Sequence, residues 1–423
     1  MNAMLKHILK LIWTQRRNNV WVFIELLLVF TLLWRSLDSL LMQGITAFQP
    51  EGISVENVYK VTLALRPSTS SSYITYEQGS NEPGTNLMRI VDRLREHPDV
   101  ESVALSDTYS LPFTHSNNNR SLFNDSIGKQ ALIYTITPDY FRVFDIHTAD
   151  GQSPERLAKQ LPEGLIITQT LATNIFGDEE AVGRKVTYEK GDSTFRYVSA
   201  VTAPLKKKGV DQPKNAMFEY LKESSIYRSD EQRVMSFAIC FRTRPGVEGS
   251  ADYADRFKKQ MKQPLSAGNF WLADVQYYSD IRAGFLDNSM EMNGRRLTLA
   301  INLFFLVNVF LAVIGTFWFR ISRRRGELGL RMAVGSTRRE LHRLVIGEGL
   351  LILTLVAFPA LLLCFNLAYL DFLSTDVMPV TVLRLLAVSL LTWGILAATI
   401  MLAVWYPARK AARLEPAEAL HYE

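Results

Sequence analysis

The sequence predicts an α-helical membrane protein with four transmembrane helices and a large α+β extracytoplasmic domain inserted between the first and second. Three observations predict it. Hydrophobic residues make up 48% of the 423, and they gather toward the two ends of the chain. Four stretches there reach the ~20 residues that a helix needs to cross a bilayer. The long segment between the first and second stretches shows instead the short, punctuated apolar patterns of a folded domain.

Bulk charge agrees with this plan. The net charge is +5, and 21% of residues are charged although the mean hydropathy is +0.03. A basic balance suits nucleic acid or a membrane surface. Here Lys and Arg flank the apolar runs, which selects the membrane and excludes nucleic acid. Of the two cysteines, Cys364 lies inside an apolar run, so it does not pair with Cys240, and no zinc spacing is present.

The first span is placed at 19–42, with its apolar stretch from Val20 to Leu41. It is the weakest, because Glu25, Arg35 and Asp38 interrupt it. Its early position resembles a secretory signal, but no small-residue cleavage site follows, so it reads as an uncleaved anchor. The others run from Leu297 to Phe319, Val345 to Leu370 and Leu385 to Trp405. Lys6, Lys10, Arg16 and Arg17 precede the first span. Eight Arg lie between the second and third: Arg320, Arg323, Arg324, Arg325, Arg331, Arg338, Arg339 and Arg343. Arg409, Lys410 and Arg413 follow the fourth, whereas the link between the third and fourth carries Asp371 and Asp376 and no basic residue before Arg384. The positive-inside rule then puts both termini and the Arg-rich loop in the cytoplasm and residues 43–296 outside. Within 1–18, Leu5, Ile8, Leu9 and Ile12 fall at helical spacing with Lys6 and Lys10 elsewhere, which predicts an amphipathic helix on the inner membrane surface.

The external segment opens with VYKVTLAL (58–65) as a strand. Leu87, Ile90, Val91 and Leu94 form one apolar helix face, Pro98 stops that helix, and VESVALS (100–106) alternates as a strand. A similar β-α-β succession recurs in RVMSFAICF (233–241), a helix around Tyr253–Met261 and DVQYY (274–278), as in an internal pseudo-repeat. Between them GLIIT (164–168), a helix through Leu171–Phe176 and FRYVSAVTA (195–203) read as a second lobe. NEPGT (81–85) and HSNNNRS (115–121) read as surface loops, and Lys206, Lys207 and Lys208 as a solvated charge run. His97, His115 and His147 are scattered with no Ser or Cys nucleophile beside them, so no catalytic set emerges.

The loop 320–343 carries more order than topology requires. Glu327 and Arg331 stand at i, i+4 with the acid first, the favourable order. Gly335 suits the C′ position that ends a helix in a left-handed conformation. Thr337-Arg338-Arg339-Glu340 fits a capping box, which starts a new helix running into the third span. Topology control alone explains neither the glycine nor the box. Docking to anionic lipid, at ~1 kcal/mol per Arg, and docking to a cytoplasmic protein both remain, and the surplus order favours the protein.

GELGLRMAVGSTRREL resembles the E-[IL]-G-[IL]-R-x-A-x-G-x-x-R motif of FtsX-like, or MacB-like, permeases of ABC transporters. YPARKAARLEPAEALHYE (406–423) is similar to that family's C-terminal tail, and ITPDYFRVFDIHTADGQ (136–152) and IITQTLATNIFGDEEAVGRKV (166–186) resemble its periplasmic domain. The resemblance implies a MacB-like periplasmic domain over 43–296 and an FtsX-like permease domain over 297–423. That domain would hold three spans, a coupling loop at 320–343 and a cytoplasmic tail at 406–423.

It further implies an inner-membrane protein that works as a homo- or heterodimer with a separate ABC ATPase subunit and transmits ATP-driven closure to the periplasmic domain. A periplasmic adaptor and an outer-membrane channel are further expected partners. The chain has no G-x-x-x-x-G-K-[ST] loop. It is therefore expected to be non-catalytic and to bind no cofactor, with ATP and Mg on the partner ATPase. By the resemblance, Glu327, Gly329, Arg331, Ala333, Gly335 and Arg338 fall on the ATPase-coupling segment, beside Glu340 of the capping box. Glu348 matches a family acidic position that supports the loop from the membrane side. Glu25, about two turns inside its span, either pairs with a basic residue of the loop or of a neighbouring span, or snorkels to the surface. Asn302, Asn308 and Asn366 are expected to join spans by hydrogen bonds. The expected function is efflux or extraction of a substrate from the periplasm or outer leaflet. The alternative is a transmembrane regulator that uses the same motion to control a periplasmic hydrolase or sensor kinase without transport.

Overall fold

The computed structural model describes residues 14, 16–125, 127–191, 193–209, 211–247, 249–288, 290–323, 326, 330–331, 334–370, 373 and 378–411. The chain divides into two compact units, Met1–Phe48 with Gly294–Glu423, and Gln49–Asn293. The surface helix expected in 1–18 lies almost wholly outside the described residues, as does most of the tail 406–423.

In the first unit, four helices are long and apolar enough to cross a membrane: Val20–Phe48, Met292–Arg323, Arg339–Tyr369 and Val382–Ala403. The first is part of a helix that runs from Arg16 to Phe48, past the expected end at 42. The first, third and fourth spans share a core in which Leu26, Phe30, Trp34, Leu353, Val356, Leu396 and Ile400 are almost fully buried. The second joins this core through one face, Val309, Val313, Phe317 and Ile321. Gly349 explains how tightly the helices meet there: a Cβ on it would lie 2.7 Å from Ile400 Cγ2 and 2.9 Å from Phe317 Cε1. In lipid, where burial of apolar surface gives no net drive between helices, such small residues let backbones approach. The other faces of the second span, including Leu297, Leu303, Phe304 and Leu311, are exposed.

The asparagines behave differently from expectation. Asn308 Nδ2 donates to Phe304 O at 2.7 Å and Asn366 Nδ2 to Leu362 O at 2.7 Å, each within its own helix, and both side chains are exposed. A carbonyl four residues back satisfies the amide locally, so these two residues join no neighbouring span of the described chain. Asn302 is buried.

The second unit is built on one long sheet. Its strands are β1 (Val58–Leu65), β2 (Val100–Asp107), β3 (Asn119–Asn124), β4 (Ile127–Ile136), β5 (Leu165–Thr168), β6 (Lys185–Val186), β7 (Arg196–Thr202), β8 (Ala216–Tyr220), β9 (Phe237–Thr243) and β10 (Phe270–Tyr277). Their order is β10-β1-β9-β2-β4-β8-β5-β7-β6, with β3 beside β4. The first four make a lobe in which β1 and β2 both run antiparallel to the β9 between them. This is the split β-α-β arrangement, and the two β-α-β units seen in the sequence form it. Helices Glu82–Arg95 and Ala251–Met261 cover one face: Leu87, Ile90, Val91 and Leu94 pack with Tyr253, Phe257 and Met261 over Val61, Val103 and Phe241.

Some boundaries moved. Arg233–Met235 belongs to a short helix, Glu231–Met235, capped by the Asp230 carboxylate on Arg233 N–H, so β9 begins only at Phe237. NEPGT is not a loop but the start of helix Glu82–Arg95, with Pro83 in its first turn. Gly84 is needed there, since a Cβ would fall 2.2 Å from Ile226 O. Asn119–Ser121 of HSNNNRS lies in β3.

β5, β7, β8 and helix Gln169–Phe176 form the second lobe, with Ile133, Leu165, Ile167, Leu171 and Met217 in its core. β2 meets β4 through one register pair, Ser106 with Ile136. A further apolar cluster runs beneath the sheet from Val58, Ala104 and Ala238 to Tyr134, Phe141, Ile166 and Phe218.

Candidate functional site

Three places in the chain have the built character of functional sites: the hairpin between the second and third spans, a buried ion pair between the first and fourth, and the buried lysines of the inserted domain.

At the hairpin, Gly335 has φ +106, a conformation that only glycine adopts without strain. Ser336 N–H donates to Arg331 O at 2.9 Å and Val334 N–H to Leu330 O at 3.0 Å. The bond from Ser336 back to Arg331 spans the glycine and closes a Schellman-type cap, with Gly335 at C′. Thr337 then starts the third-span helix. Its hydroxyl accepts from Glu340 N–H at 3.3 Å, while the Glu340 carboxylate accepts from Thr337 N–H at 2.8 Å, a complete capping box. Leu330 and Arg331 are helical, the chain turns at Val334 and Gly335, and the third-span helix begins at Arg338. Arg331, Gly335 and Glu340, three of the residues that the resemblance assigns to a coupling segment, are thus placed at this corner. Glu327, Gly329, Ala333 and the Arg338 side chain lie outside the described residues.

Glu348, three turns into that helix at most, is buried. Glu25 is half-buried, and both its oxygens lie within hydrogen-bond distance of Thr316 Oγ1, at 2.7 and 2.9 Å, so the hydroxyl donates to it. Among the described residues its bonded partner is this neighbouring-span hydroxyl and not a basic side chain.

The ion pair escaped the sequence reading. Arg384 Nε donates to Asp38 Oδ1 at 2.9 Å and Nη2 to Oδ2 at 2.8 Å, and both side chains are almost fully buried. Arg384 Nη1 also donates to Met378 O. One turn along, Trp34 Nε1 donates to Ser389 Oγ at 3.0 Å. In sequence Asp38 only weakened its span and Arg384 only ended an acidic link. The signal was that the two opposite charges sit near the same end of adjacent apolar runs, but pairing depends on which helices touch.

The lysine run departs from the expected solvated charge run. Lys206 and Lys207 are 1% and 3% exposed, not solvated. Lys206 Nζ donates to Gln49 O at 2.7 Å. Lys207 Nζ donates to Tyr109 O at 2.6 Å and Ser116 O at 2.8 Å and stands 5.5 Å from the Tyr134 ring centroid. Carbonyl oxygens and a ring face replace water around the ammonium. Burial nevertheless pushes the Lys207 ammonium down to about 8. Nearby, Arg282 pairs with Glu51 and lies over the Phe113 ring, and Tyr278 Oη donates to Pro112 O at 2.9 Å.

The histidines and the buried cysteine of the inserted domain sit in structural surroundings. His97 packs against Phe257, His115 against Phe285, and His147 bonds Asp145 and the Gln152 carbonyl. Burial pushes the Cys240 thiol up to about 12, which keeps it protonated and unreactive. Among the described residues, no three His, Cys, Asp or Glu side chains gather as a metal would require.

The sequence matches two family models: FtsX-like permease C-terminal over residues 299–416, and MacB-like periplasmic core domain over residues 39–251. No curated protein matches it. Among solved structures it is similar to a domain of a putative permease protein from Porphyromonas gingivalis, at 14% identity and TM-score 0.33, covering 53% of this chain and 92% of that one. It is similar to the periplasmic region of MacB from Actinobacillus actinomycetemcomitans at 14% identity and TM-score 0.32, covering 56% and 96%. The extracellular domain of the noncanonic ABC-type transporter YknZ from Gram-positive bacteria gives 14% identity and TM-score 0.31, with 51% and 100% covered. The chain belongs to the FtsX-like permeases of ABC systems and carries a MacB-like periplasmic core domain between its first and second spans.

Proposed function

We propose that this chain is a permease subunit that couples ATP hydrolysis by a separate ATPase subunit to conformational change of its inserted domain, and that this change drives efflux or extraction of a substrate from the periplasm or outer leaflet. The observation that supports it most is the corner between the second and third spans. A C-cap and an N-cap stand back to back around Gly335 and Ser336, so a push on the hairpin passes into the third span instead of being absorbed by a slack loop. A link that served only topology would need basic residues and nothing more.

In this reading the hairpin and both termini face the cytoplasm, and the domain faces the periplasm. Glu327, Gly329, Arg331, Ala333, Gly335, Arg338 and Glu340 dock on the ATPase, which holds ATP and Mg. Glu25 and Glu348 brace the hairpin from the membrane side. A second permease chain completes a dimer, and an adaptor and outer-membrane channel receive the substrate.

The test is reconstitution with an ABC ATPase subunit that co-purifies with this chain. Gly335→Pro and Glu327→Arg should abolish the stimulation of ATP hydrolysis while membrane insertion persists. Unchanged stimulation in both variants contradicts the docking role. Stimulated hydrolysis with no substrate moved under any condition favours the regulator.

A further inference from the structure

The route by which the membrane spans reach the second lobe is not given by chain connectivity. The segment after the first span, residues 49–57, leads into β1, and β10 leads into the helix Tyr278–Asn288 that returns toward the second span. Both passages therefore belong to the first lobe. The sheet carries the second lobe across one register pair, Ser106 with Ile136. The rest of the connection is a set of hydrogen bonds between β2, the segment after it and β4, among them Thr137 N–H to Leu105 O at 2.8 Å, Leu105 N–H to Thr137 Oγ1 at 2.9 Å and Thr135 N–H to Ser110 Oγ at 2.9 Å, together with the apolar cluster beneath the sheet and one loop.

That loop is residues 203–215, between β7 and β8, and it is clasped to residues 49–53 at three points. Lys206 N–H donates to Glu51 O at 2.9 Å. Lys206 Nζ donates to Gln49 O at 2.7 Å. Gly52, at φ +72, sits so close that a Cβ on it would fall 2.2 Å from Pro204 O and 2.9 Å from Leu205 Cδ2. Leu205 is buried in the same cluster as Ile53 and Val55. Two further bonds tie the clasp to its surroundings. Phe113 N–H donates to Lys207 O at 2.8 Å, and Glu51 pairs with Arg282 on the returning helix. A buried ammonium is tolerated only where hydrogen bonds replace its water, and the Gln49 carbonyl supplies one of them, which fixes the side chain against this segment. β7 and β8 flank β5, so the loop's two ends lead directly into the centre of the second lobe.

We propose that this clasp is where movement of the segment following the first span is handed to the second lobe, and that Lys206 is its positioning residue. The inference rests on the coupling reading above. It adds that the second lobe is driven through the β7–β8 loop more than through the sheet.

The test is hydrogen exchange on the full chain with its ATPase in lipid nanodiscs, with and without ATP, following β1 (58–65) and β7–β8 (196–220). In the wild type, ATP should change exchange in both regions. Lys206→Met keeps the length of the side chain and removes the donor. It should leave ATPase stimulation and the β1 change in place and reduce the β7–β8 change at least twofold, and Lys206→Arg should restore it. Protection of β2 and β9 without nucleotide reports folding. If Lys206→Met loses that protection, Gly52→Ala loosens the same seat from the other side and carries the same expectation. An undiminished β7–β8 change in a folded variant overturns the clasp but leaves the coupling reading standing. No ATP-dependent change anywhere in the wild-type domain overturns both.

Discussion

Asp38 and Arg384 show what single residues do in a span. Each alone is expensive in hydrocarbon, and together they make a bidentate pair that fastens the first span to the fourth. Asp38→Asn leaves the guanidinium without its counter-charge. We expect it to lower the thermal midpoint in detergent, with a cost of about 3–5 kcal/mol. Asp38→Leu combined with Arg384→Met should cost less than the sum of the single changes, and strict additivity in that cycle would show that the pair contributes nothing as a pair. Lys207 yields a pH signature. Its folded pKa is about 8 against an ordinary 10.5, so between those values the unfolded chain binds more protons than the folded one. Stability should therefore rise with pH across that window, by up to about 1.4 kcal/mol per unit. Denaturation of the full chain at pH 7, 8, 9 and 10 should show this rise in the wild type and lose it in Lys207→Met. Neither the ion pair nor the lysines could be read from the sequence, because each depends on segments far apart in the chain.

Local chemistry was legible where it decides structure by itself. Gly335 and the T-x-x-E box are read within six residues, and the backbone adopts both caps. The two β-α-β units and the second lobe follow from apolar periodicity, and the helices Glu82–Arg95 and Ala251–Met261 bury the faces that periodicity marked. Legibility failed where a cap competes with a strand pattern. Arg233–Met235 continues an apolar run, yet the Asp230 cap draws it into a helix. It failed again at NEPGT, where Pro83 begins a helix instead of breaking one. The capping box carries an element-scale prediction. Thr337→Ala removes the hydroxyl acceptor at a cost of about 1 kcal/mol. Stimulated ATPase activity should fall severalfold while the amount of inserted protein holds, and Thr337→Ser should keep both. Equal activity in Thr337→Ala and the wild type would separate the cap from coupling.

For the whole molecule, the plan of four spans with one inserted α+β domain was legible from the distribution of apolar residues. Length and hydropathy set the spans, and the reach of the first helix to Phe48 shows that its three charges did not shorten it. What composition could not give is how the parts are joined. The second span meets the other three along one face, and the two lobes of the domain share little of their sheet. Such joints are where a stroke can be passed on or lost.

The claim at the centre is that work applied at the hairpin between the second and third spans emerges in the inserted domain. The most direct measurement is the ATP-dependent change in hydrogen exchange across residues 49–293, in the reconstituted complex with its ATPase, for the wild type and for Gly335→Pro. We predict a change in the wild type that vanishes in Gly335→Pro although the variant is inserted and folded. The same change in both proteins would contradict the account.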